Sequence, residues 1–241
     1  MKKLITLTLA LSMVAITNAQ WGRRIKGNGN VVTLERSVGE YDAVALAGWF
    51  DVELVAGNEG EITLRGESNL LDHIKTEVKN GKLIIKQERG VNLRPSSWNT
   101  GIHVTVPVED IESVALSGSG DIVGKTILKS DYFSASMSGS GDVTLSIEAE
   151  KVDASLSGSG DINLEGRATD LSVQVSGSGD VKAYDLEAEN VTAQVSGSAD
   201  IKVTANQSID ARVSGSGDIS YRGNPSKIKS KSSGSGDISK G

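Results

Sequence analysis

The chain has 241 residues, a formal net charge of −6, no cysteine and only 4% aromatic residues. The acidic balance argues against nucleic acid as a partner, because a phosphate-binding surface needs net or clustered positive charge. The lack of cysteine excludes a disulfide framework and cysteine metal sites, and so few aromatics require a core built from aliphatic side chains.

The chain opens MKKLITLTLALSMVAITNAQ. Lys2 and Lys3 precede an apolar run from Leu4 to Ile16, and Thr17 and Ala19 are small residues placed for cleavage after Ala19. This pattern reads as a secretory signal over residues 1–19, since the run falls short of the roughly 20 apolar residues of a membrane span. No other long apolar run follows, so no integral membrane segment is expected in residues 20–241. Cleavage removes two of 25 basic residues against 31 acidic ones, which leaves a net charge of −8. WGRRIK, at residues 21–26, is a basic cluster read as a solvated arm.

Residues 20–110 form an irregular, mostly β part of what is expected to be one domain. VALAGWFDVELVAG and EITLRG alternate like strands. SNLLDHIKTEVKNG places Leu70, Leu71, Ile74 and Val78 at helical spacing, with Ser68 as a candidate cap, which predicts a short helix or turn near 68–79. NGKLIIKQ then returns as a hairpin on Asn80-Gly81. In VNLRPSSWNTG, Trp98 beside Arg94 reads as packing over an edge, with stacking on a sugar ring as the alternative. His73 and His103 are the only histidines and read as surface or strand residues.

From residue 111 to 241 the sequence is periodic. SGSGDI and its near-copies open at Ser117, Ser138, Ser157, Ser176, Ser196, Ser214 and Ser233, in steps of 21, 19, 19, 20, 18 and 19. Such a period denotes a stacked repeat. Apolar residues alternate on both sides of each block: Val152, Ala154 and Leu156 precede the block at Ser157, and Ile162 and Leu164 follow it. Each unit therefore reads strand, SGSGD corner, strand, second turn. Stacking at about 4.8 Å buries a narrow core between parallel sheets. The fold class is all-β, a single-stranded β-solenoid of ~19-residue rungs. In the last copy the inward positions become Ile228, Ser230 and Ser232, a polar terminal rung.

AGWFD at residues 47–51 is an eighth, degenerate corner. Across the eight, the first glycine is invariant: Gly48, Gly118, Gly139, Gly158, Gly177, Gly197, Gly215 and Gly234. It is assigned the positive φ that other residues avoid. The second glycine becomes Phe50 and Ala199, which marks it as the more tolerant position. The block's aspartate is also invariant: Asp51 in the degenerate copy, then Asp121, Asp142, Asp161, Asp180, Asp200, Asp218 and Asp237. Each is suited to capping N–H groups within its own corner, as in an Asx turn.

A phosphate cradle is excluded because a strand, not a helix, follows every block. The seven aspartates of the regular blocks are the only candidate cation ladder, yet calcium turns of the GGxGxD type repeat every nine residues. Paired carboxylates would also suit a glycosidase, but catalysis needs two in different environments, and identical rungs give every aspartate the same one. No catalytic, cofactor or metal site is assigned. The candidate ligand positions are outward-facing: Ser136, Ser155, Gln174 and Gln194 on one sheet, and Thr144, Asn163, Lys182 and Lys202 on the other, with Trp98 apart.

The ordered set KGNGNVVTLERSVGEYDAVALAGWFDVELVAG, NGKLIIKQ, IHVTVP and tandem GSGD corners behind a signal segment resembles the putative auto-transporter adhesin family with the head GIN domain, over about Asn28 to Gly223. The resemblance implies secreted or cell-envelope proteins of Gram-negative bacteria, often gut Bacteroidetes. It also implies a pectin-lyase-like β-helix without that fold's catalytic residues. The expected function is non-catalytic adhesion to a glycan or protein surface ligand, from the periplasm, outer-membrane surface or extracellular space. The alternatives are a polysaccharide-acting enzyme or a cation-binding β-roll-like module.

Overall fold

The computed structural model describes residues 22–241, so the signal segment expected over residues 1–19 lies outside the described residues. The first part runs through β1 (Arg23–Lys26), β2 (Val31–Gly39), β3 (Ala43–Gly48), β4 (Asp51–Ala56), β5 (Gly60–Glu67), a one-turn helix α1 (Ser68–Leu71), β6 (Ile74–Lys79), β7 (Lys82–Gln87), β8 (Val91–Arg94) and β9 (His103–Val108). The repeats follow as β10 (Ser113–Gly118), β11 (Ile122–Gly139), β12 (Val143–Gly158), β13 (Ile162–Gly177), β14 (Val181–Gly197) and β15 (Ile201–Gly215). They close with β16 (Ile219–Arg222), β17 (Lys227–Gly234) and β18 (Ile238–Lys240).

Every pairing between successive rungs from β10 onward is parallel and stacks serine on serine, from Ser117 on Ser138 to Ser214 on Ser233. This is the single-stranded β-solenoid expected from the period. The expected second turn is a bend that the strand runs through. In β12, Val143, Leu145 and Ile147 point inward, then Val152, Ala154 and Leu156 do, so the inward parity switches once. Pairing to β13 continues across the switch, through Glu148 with Arg167 and Lys151 with Asp170. Further inward positions lie toward the bend, among them Leu128, Ile147, Leu186 and Ala205. The uneven repeat lengths are absorbed away from the corner, where register shifts fall between Val123 and Ile127, Asn163 and Glu165, and Ala183 and Glu187.

The degenerate corner is the rung beneath the first regular one. β3 pairs in register with β10, Gly48 against Gly118, and Val52 of β4 lies against Ile122. Below it, β7 pairs parallel to β3, and β6 folds antiparallel onto β7. The β6–β7 turn places both Asn80 (φ 52°) and Gly81 (φ 75°) in the left-handed region, as a two-residue hairpin turn requires. β9 lies parallel to β4 and antiparallel to β5, which in turn pairs antiparallel with β2.

The helix is shorter than the spacing predicted. It ends at Leu71, with Glu67 rather than Ser68 at its N-cap, and Ile74 to Lys79 is strand. Ile74 and Val78 satisfy the helical and the two-residue periods alike, and pairing with β7 decides for strand. One apolar core runs from Leu70 and Leu71 at this end to Ile219 and Tyr221 at the other. Each fully buried Leu, Ile, Val or Phe within it contributes about 1.5–3 kcal/mol. At the far end every residue of β17 is exposed, including Ile228.

Candidate binding face

Each corner is built from contacts with the rung below. The first glycine has positive φ in all seven regular copies, from 135° at Gly197 and Gly234 to 159° at Gly158. A Cβ there would also run into the carbonyl oxygen of the glycine one rung below. That carbonyl accepts the N–H of the block's second serine, as in Ser140 N–H to Gly118 O (2.9 Å) and Ser178 N–H to Gly158 O (2.9 Å). Gly48 departs from the expected role. Its φ is not positive, and the reason for glycine is the Phe50 ring, which occupies the space a Cβ would take. The second glycine is no more tolerant sterically: at Gly179 a Cβ would meet the carbonyl oxygen of Gly160.

The aspartates cap the next rung, not their own corner. Oδ1 of Asp121 accepts the N–H of Asp142 (2.9 Å), that of Asp142 accepts from Asp161 (2.9 Å), and the series continues to Asp218 and Asp237 (2.7 Å). The Asp carbonyl in turn accepts the N–H of the residue after the aspartate below, as in Ile122 N–H to Asp142 O (2.9 Å). The in-register stack brings that neighbouring N–H within reach. Asp161 also pairs with Lys182 (2.6 Å). Burial would raise its pKa, but the Lys182 contact and the Asp180 N–H outweigh it and hold the carboxyl below its ordinary value. Among the described residues no three His, Cys, Asp or Glu side chains converge as metal ligands.

The two proposed ligand columns differ. Ser136, Ser155, Gln174 and Gln194 lie in register on consecutive rungs, and the column continues through Arg212 to Lys231. Two residues along each rung, the seven corner-opening serines form a second column. A groove of about 540 Å³ runs between them from Ser155 to Lys231 and from Ser157 to Ser233. Among the described residues, the Ser136, Ser155, Gln174 and Gln194 side chains and those seven serine hydroxyls take part in none of the protein's own hydrogen bonds. The opposite column is partly satisfied internally: Asn163 donates to Thr144 (3.4 Å), and Lys182 is held by Asp161, with Lys202 next to it in register.

Arg212 and Lys231 were missed as members of the first column, although alignment on the block serine puts both at the Gln174 position. Arg212 is shared with Asp210 (2.9 Å). Trp98 joins neither column. It sits in the loop between β8 and β9 and is fully exposed, not packed over an edge as expected. The histidines lie apart from both columns, His73 against Glu88 (2.6 Å) and His103 near Asp51 (3.7 Å).

A family model described as "Putative auto-transporter adhesin, head GIN domain" matches residues 40–225, spanning the degenerate corner and the regular rungs up to β16. The chain belongs to this family. A putative adhesin from Bacteroides fragilis NCTC 9343 has the same fold, with a TM-score of 0.83 and 24% identity over 90% of this chain and 99% of that one. A putative lipid binding protein from Parabacteroides distasonis ATCC 8503 is 28% identical over 91% of this chain and all of that one, with a TM-score of 0.76. A putative adhesin from Parabacteroides merdae ATCC 43184 is 18% identical, covers 91% of this chain and 99% of that one, and has a TM-score of 0.72. No curated protein matches the chain. As a head GIN domain protein it shares the solenoid of these relatives, and no helix among its described residues is long and apolar enough to cross a membrane.

Proposed function

We propose that this head GIN domain protein is a non-catalytic, exported cell-envelope module that adheres to an extended glycan or protein surface through the column face from Ser136 to Lys231. The observation that carries this is the in-register, one-per-rung series of hydroxyl and amide groups without intramolecular partners. Groups repeated about every 4.8 Å suit weak contacts made many times over by one long ligand, so that avidity replaces single-site affinity. The family's adhesin description and the signal pattern at residues 1–19 support export and surface attachment. The carboxylate ladder supports a non-catalytic reading, because each Oδ1 from Asp121 to Asp218 is occupied holding a backbone N–H.

The test is adhesion of protein-coated beads to a glycan array and to phosphatidylcholine vesicles, with reducing-end release measured alongside. Gln174→Glu with Gln194→Glu, folded by its melting curve, should reduce adhesion roughly tenfold, as loss of about 1.4 kcal/mol of hydrogen bonding implies. Unchanged adhesion, or polysaccharide turnover by the wild type, contradicts the proposal. Adhesion to vesicles alone would assign the face to lipid instead.

A further inference from the structure

We propose a second binding site, for a saccharide ring, at the N-terminal end of the solenoid, with Trp98 as its stacking platform. It is separate from the column face and does not depend on it. Trp98 is 101% exposed, and its indole has no partner among the described residues. Single exposed apolar residues are ordinary; what sets this one apart is its mounting. Glu67, the one buried charged residue among the described residues, accepts hydrogen bonds from Ser96 N–H (2.8 Å) and Thr100 Oγ1–H (3.2 Å). Within the loop, Thr100 Oγ1 accepts the Ser97 N–H (3.2 Å), and the Thr100 N–H donates to Ser97 O (3.2 Å). The indole therefore stands on a loop fastened on both sides to a buried anchor, and a ligand stacking on it need not order the loop first.

Trp98 forms one wall of a groove of about 890 Å³, and Trp49 lines it as well. The Trp49 Nε1–H is tied to Gln87 Oε1 (2.8 Å), which fixes that ring. Asn92, Arg94 and Ser97 line the same groove, and among the described residues Arg94 has no carboxylate partner. Aromatic faces interleaved with hydrogen-bonding groups match a pyranose, which offers one C–H face and a rim of hydroxyls. An acyl chain would need a continuous apolar lining, which these three residues interrupt.

The experiment is calorimetric titration of the full chain with hexasaccharides of glucose, galactose, mannose, xylose, N-acetylglucosamine and galacturonic acid. At least one should bind. Trp98→Ala should weaken that binding tenfold or more without lowering the melting temperature, Trp98→Tyr should weaken it less, and the Gln174/Gln194 double variant should leave it unchanged. The proposal is overturned if none of the six binds at millimolar concentration, if Trp98→Ala binds as the wild type does, or if Trp98→Ala loses binding only to phosphatidylcholine vesicles.

Discussion

From Ser117 to Asp237 the corners repeat one set of contacts seven times, whereas the strands before β10 mix parallel and antiparallel pairings. In the rungs, each second-serine N–H donates to the glycine carbonyl one level below, and each aspartate carboxylate accepts the aspartate N–H one level above. At the N-terminal end, antiparallel pairings and a buried carboxylate do the joining: Glu67 accepts hydrogen bonds from Gly29 (2.5 Å), Ser96 and Thr100, far apart in sequence. Stability in the rungs therefore depends on backbone fit between neighbours, and in the end structure on single polar groups. Glycine substitutions separate the two regimes.

Gly177→Ala combines a φ of 147° with a Cβ driven into the carbonyl of Gly158. It should cost about 3 kcal/mol in urea denaturation. Gly179→Ala meets the same kind of clash at ordinary φ, and should cost about 2 kcal/mol, since Ala199 shows that a corner can shift to admit a methyl group. Gly90→Ala, at the N-terminal end, has a φ of 77° but nothing within reach of its Cβ, and should cost about 1 kcal/mol. Equal losses at Gly177 and Gly90 would break the comparison, because φ alone would then set the cost.

Glu67→Gln sharpens it from the other side. The amide would turn a donor toward N–H groups that need an acceptor, and about 2 kcal/mol should be lost. Burial acts to raise the Glu67 pKa, but the hydrogen bonds from Ser96, Gly29 and Thr100 prevail and hold it below the ordinary 4.5. A depressed carboxyl stabilises the fold at neutral pH and loses that contribution as the pH falls below 4.5 through its lowered value. Hydrogen exchange should show residues 96–100 loosening in that acid range before the rungs do. Simultaneous loosening would count against the division.

Smaller effects are expected along the aspartate ladder. Asp180→Ala orphans the N–H of Asp200 and should cost about 1–2 kcal/mol. Asp180→Asn keeps the acceptor and should stay within about 0.5 kcal/mol. Asp237→Ala should be silent, because no N–H of the described residues donates to its carboxylate. EDTA should leave the melting temperature unchanged; a loss restored by calcium would make the ladder a cation site.

The two regions were unequally legible for the same reason. A rung's neighbour is its own copy about nineteen residues away, so Val152, Ala154 and Leu156 could be placed inward from alternation alone, and SGSGD could be placed at a corner. The aspartate's true partner escaped notice because the in-register stack, not the local sequence, brings the next N–H within reach. The restriction on Gly179 is hidden likewise in the carbonyl of Gly160. In the end structure no copy exists to consult. Ile74 and Val78 fit two periods, and nothing near Glu67 in sequence announces Ser96 or Thr100. The column face was legible up to Gln194, while Trp98 was misplaced because its burial depends on a loop whose anchor lies 31 residues earlier.

Ligand length offers the most direct measurement of the proposed adhesion. The column from Ser136 to Lys231 spans six rungs, about 24 Å at the spacing of paired strands. Affinity should be measured on the wild type and on the Gln174→Glu, Gln194→Glu variant for a series of oligomers of whichever array glycan adheres. The expected result is an affinity that climbs with each added unit until the ligand reaches about that length and then levels off, with the climb flattened in the variant. An affinity already at its plateau for a disaccharide, or the same climb in both proteins, would contradict a ladder of repeated contacts.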